Sequence, residues 1–301
     1  MQMITESPTS GSCRIEEVPP VGAIRGCRKS FVQVPRNSEV LEQQLSALRK
    51  EHDELRQAIF EAAQMQRRLC GPRHIRRGAF EFSGEIFPVH HVSGDFISVF
   101  DNGADLVFVL GDITGKGLCA GMWFTHLVTT IQRQIYTHAC PADALTAINR
   151  DLCEARFAVP LTTLFVARLN IATGTVVYCN AGHPAALLLR HAGGAEMLDE
   201  GGPILGAVAG ARFTSGEATV EPGDSLLAYS DGVVECRNAA SMEFGSARLL
   251  AAARRSQGSS ASSTLFSVLG AAEDFSAPQQ RDDDMAVMVL HRSQQSLTGN
   301  A

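Results

Sequence analysis

The sequence predicts an α+β protein in which sheets are layered with helices, and three observations carry that prediction. Short apolar runs of strand length recur along the chain, at residues 96–100, 106–110, 225–229 and 285–290, each bordered by Asp, Gly or Ser. These runs follow one another without a helix between each, while one helix pair lies mid-chain and another near the end, which is not the alternation of a βαβ array. Hydrophobic residues make up 45% of the 301, ample for a core of domain size, and no internal repeat is visible.

Residues 1–37 mix Ser, Pro and Gly with two short apolar patches, 18–24 and 31–34, and show no sustained period, which predicts a mobile N-terminal arm. From Ser38 the pattern changes. Leu41, Leu45, Leu48, His52, Leu55, Ile59, Ala62, Gln66 and Leu69 follow a 4,3,4,3 spacing that places them on one stripe of a helix. Ser38 caps its start and Gly71-Pro72 stop it. The flanking positions are almost wholly polar, and His52 and Gln66 inside the seam are the kind of residue by which paired helices fix register. Residues 38–72 are therefore expected to be a coiled-coil linker that makes a homodimer through Leu41, Leu45, Leu48, Leu55 and Ile59; the alternative is a helix lying on its own domain.

One domain of mixed strands and helices is expected over 78–292. Strands are predicted at 80–87, 95–100 and 104–110, then a long apolar helix over 118–134 approached through Gly115-Lys116-Gly117. Pro141 starts a second helix with Ala144, Leu145, Ile148 and Leu152 on one face. Strands 163–170 and 175–180 are joined by the hairpin turn Ala172-Thr173-Gly174, and strands 185–190, 213–220 and 226–229 follow. Helices at 246–257 and 262–275 precede a last strand at 285–291, and residues 293–301 read as a loose tail.

The net charge of −6 argues against a surface built to neutralise a nucleic-acid backbone. The one basic cluster, Arg67, Arg68, Arg73, Arg76 and Arg77, has no stacking aromatics interleaved and reads as a solvated helix end or interface rim. Eight cysteines without a C-x-x-C pair suggest reduced thiols rather than a zinc knuckle or disulfide framework. No stretch approaches the ~18 uninterrupted apolar residues of a membrane span, and the polar first dozen residues lack a signal-peptide core, so a soluble cytoplasmic protein without a membrane partner is expected.

Four acidic signatures stand at the edges of the apolar runs: Val92-Ser93-Gly94-Asp95, Gly111-Asp112-Ile113-Thr114-Gly115-Lys116-Gly117, Tyr229-Ser230-Asp231-Gly232 and Asp282-Asp283-Asp284-Met285. Carboxylates gathered at strand ends repel one another unless a hard divalent cation neutralises them, and Mg²⁺ or Mn²⁺ suits an oxygen-rich shell. Singly, an Asp beside Gly after a strand is an ordinary turn residue. The Gly111–Gly117 stretch does not fit a nucleotide P-loop, because three residues rather than four separate Gly111 from Gly115 and Gly117 follows Lys116 where Ser or Thr would bind Mg²⁺. Lys116 then stands at a helix start, steering a phosphate or facing solvent. His183, in Asn180-Ala181-Gly182-His183-Pro184, reads as part of a hydrogen-bonded turn before it reads as a general acid, and His90 and His91 are not needed in an all-oxygen shell.

Together with Gly201-Gly202-Pro203-Ile204-Leu205-Gly206, these stretches in this order resemble the PP2C-like serine/threonine phosphatases of the bacterial stress and sporulation type, from Gln64-Met65-Gln66-Arg67-Arg68-Leu69 to Leu290. The resemblance implies an αββα sandwich, two antiparallel sheets flanked by helix pairs, with two Mn²⁺ or Mg²⁺ ions at one end. By motif, Asp112 bridges the ions beside the Ile113 carbonyl, Asp231 and Asp283 complete one shell, and Asp95 holds the second ion directly or through water. A metal-bridging hydroxide then attacks the phosphoester in line, and Gly115, Lys116 and Gly117 are possible substrate contacts. Asp283 takes the ligand position when Asp284-Met285-Ala286 stands for the usual Asp-Ile-Thr. Ala286, Ser93, where Gly is usual, and Ser98, where an acidic residue is common, depart from the pattern and bear on metal affinity. The resemblance further implies a phosphorylated STAS-domain anti-anti-sigma factor as substrate and partner; because no recognisable sensor domain fits into residues 1–37, an upstream activator protein gripping the arm or helix is expected. The competing expectations are a catalytically weak or inactive module that binds a phosphorylated partner, and a generic phosphomonoesterase.

Overall fold

The structure, a computed structural model, describes residues 37–89, 91–115, 118–155, 159–256 and 258–294. The arm expected over 1–37, save its last residue, and the tail beyond 294 lie outside them. Helix α1 (Asn37–Leu69) leads into strands β1 (His74–Arg77), β2 (Phe80–Phe87), β3 (Asp95–Asp101) and β4 (Asp105–Ile113). Helices α2 (Leu118–Thr137) and α3 (Pro141–Cys153) follow. Next come β5 (Thr162–Asn170), β6 (Thr175–Ala181), β7 (Ala186–Leu189), β8 (Ala195–Leu198), the two-residue β9 (Gly201–Gly202), β10 (Gly216–Thr219) and β11 (Ser225–Tyr229). The short α4 (Asp231–Val234), then α5 (Gly245–Arg255), α6 (Ala261–Ser276) and β12 (Met285–Arg292), close the chain. The chain divides into two units after Lys50, within α1, and every strand belongs to the second.

The strands form two sheets, ordered β1-β2-β12-β11-β7-β8 and β10-β6-β5-β4-β3, with β9 added to β6 in parallel and all other pairs antiparallel. Alternate side chains of a strand point to opposite faces, so a strand between two layers must be apolar on both. In β4, Leu106, Phe108 and Leu110 enter the core between the sheets, where they join Phe82, Phe165, Met288 and Leu290. The intervening Val107 and Val109 face α2 and α3, against Phe124, Ile131, Leu145 and Ile148. Strand β12 divides in the same way: Ala286, Met288 and Leu290 turn inward, while Met285, Val287 and Val289 meet Leu249, Leu265 and Val268 of α5 and α6. The result is the αββα order, with helix pairs outside and sheets inside.

Three expectations are corrected. The apolar stripe of α1 does not run unbroken into Ala62 and Leu69: Ala63, Gln66 and Cys70 are the buried positions, and Leu69 is exposed. The last turns of α1 lie on the domain that follows, and Gln66 is hydrogen-bonded there rather than in a seam between helices. The strand expected over 213–220 is only Gly216–Thr219, because Phe213 turns into the helix-side core. Edge strands β1 and β8 and the short α4 have no counterpart among the predicted elements. Much of the basic cluster is absorbed in ion pairs around β1: Arg73 with Glu85, Arg76 with Glu81 at 3.2 Å, and Arg77 with Asp101.

Candidate metal centre

Asp95 opens β3 and Asp112 is the penultimate residue of β4; the antiparallel register sets the two opposite each other at one end of their sheet. On the other sheet, β11 ends at Tyr229, and Asp231 begins α4 two residues later. Strand β12 starts directly after Asp283 and Asp284, and its register with β11 pairs Tyr229 with Val287, so all three acids emerge at the same end. The turn there is tight enough that a Cβ on Gly232 would collide with the Asp284 carbonyl oxygen.

The loop before β3 joins the two sheet ends. Asp284 accepts from the Val89 N–H at 2.7 Å through Oδ1, and from the Ser93 hydroxyl at 2.7 Å and the Gly94 N–H at 2.9 Å through Oδ2. Gly94 in turn lies against the Asp112 turn, where its carbonyl accepts from the Ile113 N–H at 3.2 Å. A Cβ on Gly94 would sit 3.0 Å from both Asp112 Oδ1 and the Ile113 carbonyl oxygen, so the absence of a side chain keeps the space beside these two oxygens open. Asp283, by contrast with Asp284, lines a 220 Å³ cavity that it shares with Gly232. Asp284 latches the loop, while Asp283 accepts from the Asp284 N–H at 2.9 Å.

Asp95 is 2% exposed, and its Oδ2 has no hydrogen-bond partner. Burial pushes its carboxyl well above the usual range, Asp112 adds to the push, the Ser230 hydroxyl opposes it, and Asp284 and Asp231 raise it further. Among the described residues no three His, Cys, Asp or Glu side chains close into a cluster that holds an ion unaided. The acids are instead divided between two sheet ends, with the Ile113 carbonyl beside Asp112. A buried, unpartnered carboxylate oxygen, an adjacent carboxylate and a backbone carbonyl next to a side-chain-free glycine form an all-oxygen set that fits Mg²⁺ or Mn²⁺.

Of the other predicted residues, Gly115 is exposed with φ +117°, and Lys116, Gly117 and His90 lie outside the described residues. His91 is exposed. His183 belongs to a turn closed by the Asn180 side chain, which accepts from its N–H at 2.7 Å and donates to its carbonyl at 2.9 Å. Its Nδ1 lies 2.8 Å from the Thr163 hydroxyl, and burial lowers its pKa to about 3, so it is uncharged at neutral pH. Ser98 Oγ is buried without a hydrogen-bond partner, and Ala286 serves through its backbone, exchanging hydrogen bonds with Ser230. Sequence reasoning missed Asn149, a buried amide on the apolar face of α3. It accepts from the Gly206 N–H at 2.9 Å, and neighbouring Leu205 bridges Thr162, beside the Leu161 carbonyl that holds Thr114 at 2.7 Å through its hydroxyl. A lone Asn among apolar helix positions was the available signal.

Two sheets between helix pairs, with carboxylates gathered at one sheet end, define a PP2C-fold domain. The SiaA-PP2C domain of Pseudomonas aeruginosa has this fold, with a TM-score of 0.69 over 80% of this chain and 98% of that one at 13% identity. The chain belongs to the stage II sporulation protein E (SpoIIE) family, whose model matches residues 102–293. It is 30% identical over 192 residues to protein IcfG of Synechocystis sp., covering 54% of this chain and 30% of that protein. It is 25% identical over 196 residues to phosphoserine phosphatase RsbU of Bacillus subtilis, covering 65% and 58% respectively. The chain thus spans less than two thirds of the length of either relative.

Proposed function

We propose that the protein is a divalent-metal-dependent protein serine/threonine phosphatase that acts on a regulatory protein in sigma-factor control. The observation that carries this reading is the pairing of Asp95 with Asp112 at one sheet end, beside the Ile113 carbonyl, with Asp284 of the other sheet bonded to the loop that leads into Asp95. SpoIIE family membership and the phosphoserine phosphatase name of RsbU support it.

In this reading Asp112 and the Ile113 carbonyl would hold two cations, Mn²⁺ or Mg²⁺, with Asp231 and Asp283 contributing to one and Asp95 to the other. What the cations supply when bound is Lewis acidity, which lowers the pKa of water and screens the phosphoryl charge. The residues do the positioning. Gly94 leaves room at the Asp112 turn and Asp284 fixes the loop that leads into Asp95, and Lys116 would serve as a substrate contact. His183 stays neutral in the turn closed by Asn180. The substrate is a phosphorylated STAS-domain protein, residues 38–72 pair in a homodimer, and an activator protein acts through residues 1–37 or α1. The exposed Leu41, Leu48 and Leu55, at 67%, 63% and 58%, support the pairing. Phosphate release from a phosphoserine protein, run beside free phosphoserine and a chelator control, tests the reading. Chelator-sensitive release favouring the protein substrate supports it, whereas equal turnover of both substrates identifies a generic phosphomonoesterase.

A further inference from the structure

The loop that carries Asp95 is held from two sides. On one side Asp284 accepts its three donors from Val89, Ser93 and Gly94. On the other, the Gln66 side chain at the end of α1 brackets the Ser93 peptide: its Nε2 donates to the Ser93 carbonyl at 2.7 Å and its Oε1 accepts from the Ser93 N–H at 3.2 Å. Gln66, Ser93 and Asp284 are all buried. A paired amide contact of this kind fixes both position and orientation of one peptide, which a single hydrogen bond does not. The next residue is Gly94, set against Asp112 Oδ1 and the Ile113 carbonyl, and the one after it is Asp95.

We infer that Gln66 is a positioning residue for the metal centre: by clamping Ser93 against Asp284 it sets the distance between Asp95 and the Asp112–Ile113 turn, and so the affinity of the site for divalent cations. The inference rests on the assignment of Asp95 and Asp112 as ligands. It gives the last turn of α1 a direct mechanical connection to the centre, two hydrogen-bonded steps from Asp284. Gln57, also on α1, bonds only within its own helix, to Glu61 at 2.9 Å, so the connection belongs to Gln66 and not to helix amides in general.

The test is calorimetric titration of the full chain with Mn²⁺ for the wild type, Gln66→Met, which keeps length but removes both bonds, and Gln66→Glu, which keeps the acceptor for the Ser93 N–H. Melting of the metal-free proteins is measured alongside. Removal of a residue that orients metal ligands costs about 10–100-fold in affinity. The expected result is a loss of that order for Gln66→Met and a smaller one for Gln66→Glu, with Gln66→Met also melting lower in the metal-free state because the buried Ser93 N–H and carbonyl lose their partners. Equal Mn²⁺ affinity in all three overturns the clamp and leaves the phosphatase reading standing. A wild type that binds no Mn²⁺ overturns both. Should Gln66→Met fail to fold, Gln66→Glu with wild-type affinity is the contradicting result and weakened affinity the supporting one.

Discussion

Asp95 carries a tension between stability and chemistry. Its carboxyl is buried, lacks a partner for Oδ2 and faces other acids, so ionisation is disfavoured until a cation arrives. A carboxyl with a raised folded-state pKa contributes stability that is present below the unfolded-state pKa and lost as pH rises through the raised value. Asp95→Asn should therefore raise the melting temperature of the metal-free protein by about 5 °C at neutral pH, with the gain shrinking in acid. A lower melting temperature at both pH values would contradict this. His183 works in the opposite sense. Its pKa falls from 6.5 to about 3 by burial, so its contribution is present above 6.5 and is lost as pH falls from there towards about 3. Denaturant melts at pH 7.5 and 5.0 should show a smaller acid loss in His183→Gln than in the wild type; equal losses would mean that another group dominates. The carboxylates themselves were legible as Asp residues at the edges of apolar runs. The latching of the loop by Asp284 was not, because it depends on three donors from a loop about 190 residues away in sequence.

At the scale of elements, legibility followed burial on both faces. Strands β4 and β12 are apolar over 106–110 and 285–290 because each separates two cores there, and these runs stand out in the sequence. Edge strand β1 (His74-Ile75-Arg76-Arg77) buries little and is steadied by ion pairs with Glu81 and Asp101, so it carries no apolar signature. The four residues of α4 are too few for a helical period. In α1 the heptad spacing was legible, but the shift of its last turns onto the domain was not, since Gln66 suits a polar seam position and an intradomain clamp equally. The exposed leucines define the prediction at this scale: Leu48→Glu with Leu55→Glu should convert a dimer to a monomer in sedimentation, as charge at seam positions opposes pairing. An unchanged sedimentation coefficient would remove α1 as the dimer contact.

For the whole molecule, the site exists because two sheets end together. Asp95 and Asp112 end one sheet and Asp231, Asp283 and Asp284 stand at the end of the other, and Asp284 ties the two by bonding Val89, Ser93 and Gly94. The three cores hold that registration, so the position of the acids follows from packing far from them. The order of motifs along the sequence anticipated the layered architecture; the meeting of the sheets is a tertiary property that no local pattern encodes. The most direct measurement is the rate of phosphate release from a phosphoserine protein in Mn²⁺, wild type against Asp112→Asn. The account predicts metal-dependent release by the wild type and only background release by the variant, with both proteins equally folded. Equal rates for the two, or no release from folded, metal-loaded wild type, would contradict it.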